Sequence, residues 1–265
     1  MKNITKFLFV VAILFSSSFG QDEVKLEYFE YPGQYTESLG DDECMYTDEC
    51  SIKKKETYRD GIKHGPFTVY EQIRGYNFLS MEGNHVDGEM KGQIKSYTWG
   101  YLSKIMTIGE PCPCPMKIFS EDSNEKLRQE GNVDGGFKKQ GLWKFYVDDG
   151  VLESERTYID NVLNTATLHE YHDDGSLFSS KSRFYMGQQP LQHGDQIYYY
   201  RSGQLLAKQS YYYGSYDGLW EKFFPDGQID EKGSYIAPED PYEAIDLHRT
   251  KVGEWNSFHE NGQLY

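Results

Sequence analysis

The chain has 265 residues with 27 Lys+Arg against 42 Asp+Glu, a formal net charge of −15, and condensed phosphates repel so acidic a surface. That balance excludes a nucleic-acid binder and a protein resting on an anionic membrane surface. Aromatics make up 16%, with 23 Tyr and 26 Gly in a chain of low mean hydropathy, so neither a disordered chain nor a membrane protein fits, and a soluble β-rich protein remains.

In chain order, residues 1–20 come first. Lys2 and Lys6 give a basic opening, Phe7 to Phe15 is an uncharged apolar run, and Ser18 and Gly20 are the small residues before Gln21. This order predicts a secretory signal peptide, since the apolar run is too short to span a bilayer. The expected location is the periplasm, the cell surface or the medium.

Residues 21–57 read as a lead-in to the repeats and hold Cys44 and Cys50 in an acidic stretch. Residues 58–129 follow, with a Pro/Cys insert in which Cys112 and Cys114 flank Pro113. An even cysteine count in an oxidising compartment predicts two disulfides, and four cysteines allow three pairings. A ring closed between Cys112 and Cys114 alone is very tight, so the expectation is that both bond back to Cys44 and Cys50. Neither the Cys-x2-Cys spacing of a zinc site nor a Cys-x-x-Cys redox motif is present. Asp41, Asp42, Asp48 and Glu49 could bind calcium, but a solvated acidic loop is the simpler state.

Residues 130–265 align on themselves in five units, beginning at Gly141, Ala166, Gly194, Gly218 and Gly253. Counting from each start, offset five is always aromatic: Tyr146, Tyr171, Tyr199, Phe223 and Phe258. Offset nine is always Gly (Gly150, Gly175, Gly203, Gly227, Gly262), and offset eleven is Leu or Ile (Leu152, Leu177, Leu205, Ile229, Leu264). Tyr recurs at offset seventeen (Tyr158, Tyr211, Tyr235) and Trp at offset two (Trp143, Trp220, Trp255). Asp, Asn or Ser before Gly tolerates positive φ, as a tight hairpin turn requires, and the flanking runs have strand length and strand propensity. The predicted fold is all-β: a repetitive antiparallel β-hairpin meander in one long twisted sheet, without a cofactor. Offsets two and five have opposite parity, so either a bulge intervenes or both faces carry aromatics.

At these residues the chain resembles the bacterial variant of the MORN repeat, Gly-x-Trp-x-x-Tyr-x-x-x-Gly-x-Leu followed by a second Tyr. The resemblance covers 141–265 well and extends weakly upstream, where Tyr58, Gly61, Gly65 and Phe67 keep the spacing and the turn Gly is missing. Ala166 in place of Gly and the insert 237–252 are further departures. The resemblance implies an all-β hairpin array used for protein association, in some eukaryotic members for lipid tethering, and bacterial members often carry an antitoxin label. An exported acidic chain suits neither of those last two roles.

The function expected is a non-catalytic scaffold for an unidentified protein partner. A glycan- or cell-wall-binding module is the alternative, because runs such as Tyr198-Tyr199-Tyr200 also resemble choline-binding wall repeats and exposed rings hold sugars or quaternary ammonium groups. Tyr198, Tyr200, Tyr213, Trp143, Trp220 and Trp255 are the candidate contacts, against the plainer role of inter-repeat packing. His169 and His172 lie three apart, on opposite faces of a strand, so they form no shared metal site. No nucleophile elbow, phosphate loop or dinucleotide fingerprint occurs.

Overall fold

A computed structural model describes residues 22–28, 52–73, 76–109, 112–122, 125–244 and 250–265. The signal-peptide expectation, Cys44, Cys50 and the acidic stretch around them lie outside the described residues. The chain divides into two compact units, one up to Gly135 and one from Gly136 onward.

Both units are antiparallel meanders in which each strand pairs with its neighbour in the chain. The first unit holds β1 (Asp22–Tyr28), β2 (Ile52–Arg59), β3 (Ile62–Ile73), β4 (Tyr76–Val86), β5 (Glu89–Thr98), β6 (Tyr101–Ile108), β7 (Cys114–Phe119) and β8 (Leu127–Val133). The second holds β9 (Lys139–Tyr146), β10 (Leu152–Ile159), β11 (Val162–Tyr171), β12 (Leu177–Met186), β13 (Gln189–Tyr199), β14 (Leu205–Tyr212), β15 (Ser215–Phe223), β16 (Ile229–Ile236) and β17 (Thr250–Ser257). A single helical turn, α1 (Pro241–Ala244), lies between β16 and β17.

The register explains the repeat residue by residue. Offset five faces offset eleven in every unit: Tyr146 opposite Leu152, Tyr171 opposite Leu177, Tyr199 opposite Leu205, Phe223 opposite Ile229, and Phe258 opposite Leu264. Such aromatic–aliphatic rungs are the units of sheet stabilisation, each worth on the order of 0.2–1 kcal/mol. In each of the first four of these hairpins, one extra residue on the return strand follows the rung, a bulge that sharpens the twist. Offset zero faces offset seventeen: Gly141 opposite Tyr158, Gly194 opposite Tyr211, Gly218 opposite Tyr235. A tyrosine ring thus stands across from each glycine, where a side chain is missing. In the unit beginning at Ala166 the facing residue is Arg183, so both members of the rung depart together.

Turn chemistry is equally regular. At Phe224–Gln228 the Gly227 N–H donates to the Phe224 carbonyl at 2.9 Å, the Phe224 N–H donates to the Gln228 carbonyl at 2.8 Å, and Gly227 sits at φ 87°. That is a β-turn followed by a left-handed residue, the three-residue hairpin loop in which glycine avoids the Cβ clash. Asp226 completes it by accepting from the Gln228 N–H at 2.9 Å, as Asp174 does from Ser176 and Asn261 from Gln263.

The first unit repeats the same kind of rung without glycine at the ninth offset, the Tyr97–Leu102 hairpin turning instead on Gly100 at φ 84°. Tyr70 faces Leu79, Tyr97 faces Leu102, and Phe119 faces Leu127. Its core runs across the sheet through Phe67, Ile94, Met106 and Met116 to Val133. Gly83 lies opposite Phe67, and a Cβ there would run into the Ile94 side chain. Beside this core the Glu56 carboxylate is paired with Lys63 at 2.8 Å and Lys54 at 2.9 Å and accepts from the Tyr58 hydroxyl at 2.9 Å. Burial pushes that carboxyl up, but the two ammonium groups and the phenol outweigh it and bring its pKa to about 2.

One expectation is overturned. Cys112 and Cys114 are disulfide-bonded to each other, not to Cys44 and Cys50. Their Cα atoms lie 4.6 Å apart where the chain enters β7, inside the range a disulfide bridges, so the ring closes despite its tightness.

Candidate functional site

Cross-strand partners share a face, so the register sorts the second unit's side chains into two surfaces. β9 and β15 run without a bulge between offsets two and five, so both faces carry aromatics. Tyr146, Tyr171, Tyr199, Phe223 and Phe258 stand with their aliphatic partners on one face. Trp143, Tyr198, Tyr211, Trp220 and Trp255 stand on the other, with Tyr216 and Tyr235.

On this second face a ladder of rings crosses β14 to β17. Tyr211 and Tyr216 have centroids 4.6 Å apart, Tyr216 and Tyr235 4.9 Å, Tyr235 and Trp255 4.9 Å, and Trp255 and Trp220 5.8 Å. Gly233 makes room for it, because it lies against the Trp255 indole where a Cβ would overlap the ring. Trp220 Nε1 donates to Gln209 Oε1 at 3.2 Å, and the Lys251 ammonium stands 3.7 Å over the Trp255 ring. These rings are half-buried apart from Tyr211, which is buried.

The structure treats the other candidates differently. Trp143 is 0% exposed, capped by Lys139 Nζ at 4.3 Å, so its ring belongs to the core and is not a ligand contact. Burial also lowers the Lys139 ammonium, with Arg156 adding to the effect. Tyr198 packs edge-on against Phe178 at 6.1 Å. The Tyr200 hydroxyl donates to the Phe223 carbonyl at 2.7 Å, tying one hairpin to the next. Tyr213 occupies the β14–β15 turn at φ 44°, a conformation that bulky residues avoid. It is held by Phe184 at 5.2 Å and His193 at 4.7 Å, and its N–H donates to His193 Nδ1 at 3.4 Å. Burial pushes the His193 imidazole below its usual value.

His169 and His172 part as their spacing requires. His169 Nδ1 is 2.9 Å from Ser180 Oγ and its Nε2 is 3.8 Å from Glu155, while His172 packs edge-on against Phe178. Ser180, His169 and Glu155 follow the order of a hydrolytic triad. They nevertheless lie within the sheet, where Ser180 is paired in register with strands on both sides. A hydrolase needs preorganised donors aimed at an oxyanion, and a strand's N–H groups in a ladder are already committed. Among the described residues no group of three His, Cys, Asp or Glu could hold a metal ion, and no helix is long and apolar enough to cross a membrane.

Sequential hairpins, a repeated rung and a braced ring ladder define a β-hairpin repeat protein. The family described as the MORN repeat variant matches residues 139–160, 192–211, 216–237 and 251–265. These four segments are therefore repeats of the MORN variant. The unmatched hairpin beginning at Ala166 is the one whose Gly–Tyr rung is replaced by Ala166 and Arg183. No curated protein matches the chain. Among solved structures it is similar to a Tc holotoxin pore of Photorhabdus luminescens, at 8% identity over 92% of this chain, with a TM-score of 0.25. The chain spans 14% of that protein's length, and so low a TM-score carries no inference about fold or function.

Proposed function

We propose that the chain is an exported, non-catalytic scaffold that binds a partner protein through the ring ladder of β14–β17. The observation carrying this reading is the continuous run from Tyr211 through Tyr216, Tyr235 and Trp255 to Trp220. Tyr and Trp dominate the energetics of protein interfaces because a large, stiff, amphipathic ring is buried at little entropic cost. Rings already braced against one another lose still less freedom on binding. Repeats of this family generally mediate protein or membrane interactions, and the acidic balance favours a protein over an anionic lipid. Export rests on the basic, apolar and small-residue order of residues 1–20.

The test is a photo-crosslinking amino acid placed at Tyr216 on the ladder face or at Thr167 on the opposite face, in cells making the full chain. A discrete adduct from position 216 and none from 167 is the expected result. Equal adducts from both, or none, would refute the face assignment. Retention on peptidoglycan that is lost in Trp220→Ala, with the fold intact, would transfer the face to a glycan.

A further inference from the structure

The hairpin that departs from the repeat also changes the character of the ladder face. Offset seventeen is Tyr158, Tyr211 and Tyr235 in three units, but Arg183 in the unit beginning at Ala166. Offset fifteen, two residues earlier and on the same face, reads Arg156, Lys181, Gln209 and Gly233 in chain order. The last two serve the rings: Gln209 accepts from Trp220 and Gly233 leaves room for Trp255. The first two are cations. One face is therefore divided, with rings over β14–β17 and positive charge over β9–β12.

The register sets Trp143, Arg156, Ala166 and Arg183 in one row across β9 to β12. The two arginines stand on strands two apart, so their Cα atoms are about 10 Å from each other with only the small Ala166 between them. The Arg156 guanidinium lies 4.1 Å over the Phe145 ring, and its Nε donates to Ser154 Oγ at 3.0 Å. Those contacts fix its plane, while Glu153 stays 3.8 Å from its Nη2, beyond hydrogen-bond distance. Among the described residues the Arg183 side chain makes no hydrogen bond and no close ion pair. Its charge acts through space on Glu170, whose carboxyl is held down first by its hydrogen bonds from Lys181 and Ser179. With Lys139 above Trp143, four cations share this half of the face, and the carboxylates beside them are Glu153 and Glu170. That is a local excess of positive charge on a chain of net −15.

We propose that this basic half of the face binds an acidic segment of a partner protein, with one carboxylate held between Arg156 and Arg183 above Ala166. Paired guanidinium forks suit a carboxylate, which accepts two parallel N–H bonds from each. The strands' own N–H groups are committed to the sheet on both sides, so no nest of main-chain donors is offered to a small free anion. Long side chains spread over several strands match charges presented along a polypeptide instead. Arginine beside Trp and Tyr is also the composition of binding hot spots in protein interfaces. Elsewhere the acidic chain repels such a segment, which confines it to this one place. The site lies beside the ring ladder and does not need the ladder to be occupied.

The experiment titrates the full chain with the end-capped peptide Gly-Glu-Gly-Glu-Gly-Glu-Gly at low ionic strength and follows the heat. This peptide has no apolar side chain, so it reports on the basic half alone and its outcome is independent of crosslinking at Tyr216. Saturable binding is expected, weakening as salt is added, with none by the peptide carrying Gln for Glu. Ala166→Gly combined with Arg183→Tyr rebuilds the rung of the other hairpins, which keeps the fold, and weakens binding about tenfold, the equivalent of one charged hydrogen bond. Arg156→Gln weakens it similarly, whereas Lys144→Gln, across from Glu155 on the opposite face, leaves it unchanged. No saturable heat at millimolar peptide, equal binding by the Gln peptide, or undiminished binding by the rebuilt rung would each overturn the proposal. Displacement of the peptide by inorganic phosphate at matching concentration would also overturn it, in favour of a small free oxyanion.

Discussion

Gly233→Ala isolates the packing that builds the ring ladder. Gly233 does not hold a left-handed backbone, so alanine itself is compatible there and would ordinarily stabilise by about 0.4–1 kcal/mol through the unfolded chain. Sterics decide the sign instead. The new Cβ would overlap the Trp255 indole at its ring-fusion carbons, so the whole ring must leave. It then gives up its edge contact with Tyr235, its tilted contact with Trp220 and the Lys251 ammonium above it. Aromatic pairs contribute about 0.5–1.5 kcal/mol each and an exposed cation–π contact about 0.5–1 kcal/mol, so the loss is roughly 1.5–4 kcal/mol, centred near 3 kcal/mol. After the entropic gain the net destabilisation is about 2 kcal/mol. With a urea dependence of about 2 kcal/mol per molar, the midpoint falls by about 1 M. Urea unfolding followed by circular dichroism measures it, in wild type and in a Trp255→Leu background. The reasoning fails if Gly233→Ala is harmless in wild type, or equally costly once the indole is gone.

Further outcomes follow from the same geometry. Glu56→Gln loses both lysine partners and costs on the order of 2 kcal/mol at neutral pH. A carboxyl whose folded pKa is depressed stabilises above its unfolded value near 4.3 and loses that contribution as pH falls toward about 2. The difference between Glu56→Gln and wild type should therefore shrink across that window in pH-dependent unfolding, and a constant difference would reject the ion-pair account. Asp226→Ala removes the acceptor of the Gln228 N–H and should cost about 1 kcal/mol, read from thermal unfolding; no measurable loss would reject the cap. Peptide mapping without reductant should return Cys112 and Cys114 bonded within one fragment; a crosslink from either to Cys44 or Cys50 would restore the pairing expected from sequence. Because that ring closes so few residues, its reduction should lower stability by no more than about 1.6 kcal/mol.

Much of the second unit is legible in the amino-acid sequence. The glycine at offset nine and the aromatic and Leu or Ile around it mark each hairpin, and the structure places them in the turn and in the rung beside it. The first unit was harder to read, because its rungs survive without the marker. Tyr97 meets Leu102 around Trp99 and Gly100, and Tyr70 meets Leu79 across a ladder that continues to Ile73 opposite Tyr76. Offset zero was visible as glycine but not as the partner of the tyrosine seventeen residues on, since that pairing exists only once both strands are in register.

Sequence alone determined the elements whose causes are local: turn residues that accept positive φ, strand-length aromatic runs, and the period that repeats them. Tertiary structure alone decided what depends on several strands at once. Trp143 and Trp220 share a repeat position, yet one is sealed beneath Lys139 and the other joins a half-buried ladder beside Gln209. A side chain's alternation along a strand follows from backbone pleat, whereas its burial is set by neighbours far away in the chain. The cysteine pairing obeyed the same division, for it turned on how closely a bend brings two Cα atoms together, a distance that no spacing in the sequence specifies.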